Sequence, residues 1–60
     1  MNHYQIGQKV HVAPRERPFH DDPEWVWTVT FYSEDWGLNL EHDGIVRLGV
    51  SPLHVRPVLS

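Results

Sequence analysis

The chain contains no cysteine among its 60 residues. Disulfides and thiolate metal sites, two common supports of very small domains, are therefore excluded. A chain of this length buries only about 60% of the surface that its unfolded state exposes, so its stability is marginal. We expect one domain spanning residues 1–60, in a reducing compartment.

Long apolar runs are also missing. No stretch approaches the roughly 20 apolar residues that a membrane-spanning helix needs. The amino-terminal MNHYQIGQKV has none of the apolar character of a secretory signal, so we expect no signal peptide. The sequence thus predicts a cytoplasmic protein without membrane association.

Basic residues are scarce, with five Lys and Arg against eight Asp and Glu, and the formal net charge is −3. Proteins that grip the nucleic-acid backbone usually show a basic excess. The composition therefore argues against non-specific DNA or RNA binding. A local basic patch of Lys9, Arg47 and Arg56 remains an alternative nucleic-acid site.

Signatures of catalysis and metal binding are absent too. The chain has no glycine-rich phosphate loop and no serine in a nucleophile motif. Asp21 and Asp22 are adjacent and point apart in an extended chain, so they do not form an acid–base pair. His20-Asp21-Asp22 is the best local cluster, but no pair of histidines has zinc-ligand spacing. We expect a non-enzyme with no catalytic residues, no metal and no cofactor.

What the chain does have is a series of short alternating segments. Five prolines and four glycines interrupt it, and the runs between them alternate with a period of two, which is typical of strands joined by turns. The predicted strands are residues 8–13, 25–32, 36–41, 45–50 and 55–58. Residues 14–24 read as a long surface loop, and a single helical turn is expected at residues 51–54.

The second strand carries most of the aromatic residues. Its alternation assigns four residues to the core face: Trp25, Trp27, Val29 and Phe31. Tyr32 falls on the opposite face, which tolerates water. Trp36 lies past the following turn and is the best candidate for an exposed aromatic residue.

The connection between the third and fourth strands has two readings. An Asp-Gly sequence favours a two-residue hairpin, which pairs Leu40 with Arg47. A three-residue loop, residues 42–44, pairs Leu40 with Val46 and Leu38 with Leu48, so that the apolar residues share a face. Because a slip of one residue reverses every side chain, we predict the three-residue loop.

This order of segments resembles a Src-homology-3-like barrel over nearly the whole chain. The acidic stretch 14–24 matches the long first loop of that family. Trp27-Thr28-Val29-Thr30-Phe31 and Ser33-Glu34-Asp35-Trp36 resemble its second strand and the turn that leads to a tryptophan. Gly49-Val50-Ser51-Pro52-Leu53-His54-Val55 resembles the frame around its short helical turn. The resemblance implies an all-β fold, a five-stranded barrel.

Peptide-binding members of that family grip proline-rich ligands with an acidic loop, a tryptophan, a proline and a tyrosine. The resemblance therefore implies a site at matching positions: Asp21, Asp22, Glu24, Trp36, Pro52 and His54. Tyr32 would add apolar contact. His54 stands where the family usually has tyrosine, and the opening KVHVAP lacks the aromatic-rich motif. The start Gln5-Ile6-Gly7-Gln8-Lys9-Val10 is closer to bacterial barrels of this class.

Three hypotheses follow from the sequence. The first is a protein- or peptide-binding module acting as a small adaptor, inhibitor or regulatory subunit, with a basic partner favoured by the acidic loop. The second is a nucleic-acid-associated barrel, a regulator of transcription or translation. The third is a homo-oligomer in which exposed aromatic residues of two copies face each other.

Overall fold

The computed structural model describes residues 4–13 and 24–58. Its strands are β1 (Lys9–Val12), β2 (Trp27–Ser33), β3 (Gly37–His42), β4 (Ile45–Val50) and β5 (Val55–Pro57). They form one five-stranded sheet in the order β4-β3-β2-β1-β5, and every pairing is antiparallel. The predicted all-β class with five strands is confirmed. Because β4 and β5 are the two edges of this sheet, closure into a barrel stays a prediction.

One face of the sheet forms the core. Its buried side chains come from four strands and the segment before β1: Tyr4, Val10, Val12, Trp27, Val29, Leu38, Leu40 and Val55. The alternation predicted for β1 and β3 is confirmed, since Val10 and both leucines are fully buried. Burying each aliphatic side chain of this size contributes about 1.5–3 kcal/mol to folding.

The prediction that Phe31 belongs to the core is wrong. The β2–β3 register shifts between Val29 and Phe31, so a bulge at this point reverses the alternation of the rest of β2. Phe31 is consequently 44% exposed. Tyr32, expected on the outer face, instead packs against the core.

The predicted three-residue hairpin is also wrong. His42 pairs with Ile45, and Leu40 pairs with Arg47, so the loop contains only Asp43 and Gly44. These two residues have φ values of 48° and 84°, the pair of positive angles that a type I′ turn requires. The outcome is that Val46 and Leu48 lie on the outer face and Arg47 on the core face.

The predicted helical turn is confirmed as a 3-10 turn, Pro52–His54. The Ser51 hydroxyl caps it by accepting a hydrogen bond from the Leu53 backbone N–H at 3.2 Å. The strand that follows, β5, is short and lies at an edge of the sheet, as expected for a segment that contains Pro57.

Two further predictions concern the rest of the chain. Apart from Glu24, the predicted surface loop 14–24 lies outside the described residues. Within the two described ranges, no helix is long and apolar enough to cross a membrane.

Candidate functional site

Trp36 is fixed in place while much of its ring stays accessible. The side chain is 53% exposed, yet its indole Nε1–H donates a hydrogen bond of 2.6 Å to Oδ1 of Asn39. The same Oδ1 accepts a hydrogen bond of 3.1 Å from the backbone N–H of Gly49. A Cβ added at Gly49 would stand 3.5 Å from the six-membered ring of Trp36, so the indole lies against this glycine.

Local backbone chemistry places Trp36 there. The turn before it is closed by the Ser33 hydroxyl, which accepts from the Asp35 N–H at 3.2 Å. Gly37 follows with φ of 97°, and a Cβ at this position would stand 2.6 Å from the Val50 carbonyl oxygen. Only glycine allows β3 to begin this close to β4, and this approach brings Trp36 over Gly49.

Three other apolar side chains share the outer face with Trp36. Phe31 lies opposite Asn39 across β2 and β3, while Val46 and Leu48 project from β4 and are 52% and 64% exposed. We call these four residues the outer apolar patch: Phe31, Trp36, Val46 and Leu48. Several exposed apolar side chains on one face often mark an interaction site.

Acidic side chains surround the outer apolar patch. Glu41 pairs with Val46 across β3 and β4 and is exposed. Asp43 lies in the turn at one end of β4, and Glu34 and Asp35 lie in the turn that leads to Trp36; all three are exposed. Four exposed carboxylates therefore lie in the strands and turns around the outer apolar patch.

Tyr32 lies on the other face of the sheet from this patch. It is half-buried, and its ring contacts Tyr4 edge-on with the ring centroids 6.4 Å apart. The Tyr4 hydroxyl donates to the Val55 carbonyl at 3.2 Å, and burial raises the pKa of Tyr4 above its ordinary value. Tyr32 thus extends the core, and its contribution to a binding site is limited to the part of its ring that stays exposed.

Pro52 and His54 lie in the 3-10 turn, which begins two residues beyond the end of β4. Both are half-buried. The His54 backbone is held firmly, because its carbonyl accepts from the Ala13 N–H at 2.7 Å. Leu53 between them is 79% exposed and was not among the predicted site residues.

Of the three acidic residues in the predicted site, only Glu24 belongs to the described residues. Glu24 is exposed at the start of the second described range. Asp21 and Asp22 lie outside the described residues, as does His20 of the candidate metal cluster. In the part of the chain that the structure describes, no three His, Asp or Glu side chains come together as a metal-binding group.

The three residues of the alternative nucleic-acid patch are not all on one face. Lys9 projects from β1 on the outer face, where its Nζ donates to the Thr28 hydroxyl at 2.7 Å. Arg56 of β5 pairs with His11 of β1, which lies two residues from Lys9 on the same face, and Arg56 is exposed. Arg47 instead lies on the core face at the far edge, with its Cζ 5.7 Å from the Trp27 ring centroid.

A cluster that sequence patterning missed lies at the end of the core. His42 stacks on Trp25 with ring centroids 4.3 Å apart and lies 5.5 Å from the Trp27 ring. Its Nδ1–H donates to the Val26 carbonyl at 2.9 Å, and His11 Nδ1–H donates to the Trp25 carbonyl at 3.1 Å. The two histidines hold the chain where it enters β2, which is a structural role that needs no ligand.

Comparison of the chain with protein-family models, with curated proteins and with solved structures found no match.

Proposed function

We propose that this chain is a non-enzymatic protein- or peptide-binding module of the Src-homology-3-like type, acting as a small adaptor, inhibitor or regulatory subunit. One observation carries the proposal: Trp36 is about half exposed but is held rigidly by Asn39 and Gly49. A side chain that is already ordered loses little conformational entropy when a partner covers it. Tryptophan is also among the residues most enriched at binding hot spots.

The surroundings of Trp36 support the same proposal. Phe31, Val46 and Leu48 extend the apolar contact surface, and the exposed carboxylates of Glu34, Asp35, Glu41 and Asp43 form a charged rim. An apolar centre with a polar rim is the usual anatomy of a protein interface. Pro52 and His54 of the 3-10 turn follow β4 in the chain, and we include them in the proposal as residues at the border of the site.

The test is affinity capture from the native host with matched variants. Trp36→Ala removes the anchor, whereas Ile6→Ala removes an apolar side chain that is 74% exposed but is not one of the four patch residues. We expect Ile6→Ala to capture the same partner as the unmodified chain. Trp36→Ala should lose it while the circular-dichroism spectrum stays unchanged. Capture that survives Trp36→Ala would refute the proposed site.

Nucleic-acid association is the second candidate, and it is favoured by the proximity of Lys9 and Arg56 on one face of β1 and β5. The salt dependence of binding distinguishes nucleic-acid association from protein or peptide binding. Binding through phosphates weakens steeply between low and physiological salt, with a slope of about −0.9 per contacted phosphate on a double logarithmic plot. Contact through Trp36 and its apolar neighbours should change little over that range.

A further inference from the structure

Among the described residues, β4 is an open strand edge, and its main protection against pairing with a second copy is the charge of Arg47 on its core-facing side. The sheet ends at β4 on one side and at β5 on the other. β5 has only three residues and includes Pro57, which are two ordinary protections against further strand pairing. β4 has six residues, IVRLGV, without lysine or proline.

The backbone of β4 has hydrogen-bonding groups that face away from β3. In a two-residue hairpin the residues that flank the loop, here His42 and Ile45, exchange both backbone hydrogen bonds, and inward- and outward-facing residues then alternate. Val46 therefore directs its backbone groups to the open side. Beyond Arg47 the β3–β4 register shifts, and Leu48 lies at this irregularity with its side chain exposed. Arg47 Nη1 donates to the Val46 carbonyl at 3.2 Å, and a carbonyl has a second lone pair for another donor.

An extended segment added at this edge would continue the outer apolar patch. Every second side chain of such a segment would stand beside Val46 and Leu48 on the outer face. Apolar side chains at these positions would cover surface that is now exposed to water. The main chain would supply affinity and the alternate side chains specificity, as in other cases of strand addition.

The charges around β4 determine which partner segments are attracted to it. Asp43 lies at one end of the strand, Glu34 and Asp35 lie near the other end, and Glu41 lies beside Val46 on the outer face. A segment with Lys or Arg at both ends would therefore be attracted. A second copy of the chain is disfavoured, because the centred antiparallel pairing that matches Val46 with Leu48 places Arg47 opposite Arg47. Like charges directly opposite each other destabilise such a pair.

We propose that β4 accepts, by antiparallel strand addition, an extended partner segment with alternating apolar residues flanked on both sides by Lys or Arg. This inference rests on the proposed binding function and assigns its mode of recognition. It differs from recognition of a proline-rich helix in a groove, because it requires main-chain hydrogen bonds from every second residue of the partner.

The experiment uses the full chain to select binders from a display library of random linear peptides. The best peptide is then synthesised with one backbone amide N-methylated at a time. N-methylation of every second amide should weaken binding about tenfold or more, and the intervening ones should have little effect. Exchange of the flanking Lys or Arg for Glu should weaken binding by about tenfold, and the effect should shrink in high salt.

The outcomes separate this inference from the proposed function. Alternating sensitivity to N-methylation, together with slower hydrogen exchange of the Val46 amide in the complex, supports strand addition. Selected peptides that require Trp36 but show no alternation would overturn strand addition and leave the binding function standing. Peptides that show the alternation but bind without Trp36 would leave strand addition standing and overturn Trp36 as the anchor. A selection that yields no binder would contradict both proposals. Dimerisation of the free chain through β4 would show that the occupant is a second copy, and this inference would then be wrong.

Discussion

The indole N–H of Trp36 donates a 2.6 Å hydrogen bond to the side-chain oxygen of Asn39, and that oxygen also accepts from the backbone N–H of Gly49. One amide side chain thus joins an exposed aromatic residue to the edge strand β4. This arrangement makes Asn39 the residue that positions the proposed anchor, although Asn39 itself is only half-buried.

Asn39→Ala should release the indole and leave two donors without their acceptor. We expect a loss of about 1–3 kcal/mol in the free energy of unfolding, measured by urea denaturation. Affinity for a Trp36-dependent partner should fall as well. The matched measurement repeats Asn39→Ala in a Trp36→Phe background, where part of the effect should disappear. Equal effects in both backgrounds would mean that the hydrogen bond contributes nothing.

Gly44→Ala should destabilise the β3–β4 hairpin through backbone strain alone. An added Cβ at Gly44 would meet nothing within 4 Å, but φ is 84°, a conformation that costs an L-residue about 1–2 kcal/mol. Urea denaturation measures the change. Asp43→Asn is the control, because asparagine also tolerates positive φ and should be nearly neutral. If Gly44→Ala proved neutral, the hairpin would not contain this two-residue turn.

Arg47→Val should make β4 prone to self-association. Arg47 is a charged residue on the core-facing side of an edge strand, which is one of the devices that oppose pairing between copies. Sedimentation velocity at micromolar concentration should show larger species for this variant. Arg56→Val removes the same charge from β5 and should leave the sedimentation of the chain unchanged. An increase with Arg56→Val alone would assign the protection to β5.

Alkaline pH should destabilise the fold through Tyr4. Burial raises the pKa of Tyr4 above that of the unfolded chain, so the neutral hydroxyl is the form that the folded state favours. The stabilisation is fully present below about pH 10, the ordinary pKa of tyrosine, and is lost as pH rises through the folded pKa. Tyr4→Phe should flatten the fall in stability above pH 10. Urea denaturation of the unmodified chain and of Tyr4→Phe at a series of alkaline pH values measures the difference, and an equal fall in both chains would contradict the prediction.

The sequence predicted the strands because alternation with a period of two reports which residues face the core. Val10, Leu38 and Leu40 follow the pattern and are fully buried. The pattern failed at Phe31, where a bulge inserts one residue into β2. No residue type in this part of the sequence indicates the bulge. Proline and serine at the start of the 3-10 turn were sufficient to place that turn.

The prediction of the β3–β4 loop length failed for a different reason. Patterning favoured a loop that buries Val46 and Leu48, but the Asp-Gly pair made the shorter turn available. Arg47 can then lie over the Trp27 ring, which gives its charge a favourable aromatic contact on the core face. The apolar residues displaced by this register form part of the outer apolar patch, so the error in the fold prediction concealed much of the candidate site. Trp36 was identified correctly as exposed, because it follows a turn.

The most direct test of the central claim is an NMR titration of the chain with its captured partner or a selected peptide. The three tryptophans give three indole N–H signals. Our account predicts that the Trp36 signal shifts on binding, while those of Trp25 and Trp27 stay close to their original positions. A partner that binds while the Trp36 signal remains unchanged would contradict the account.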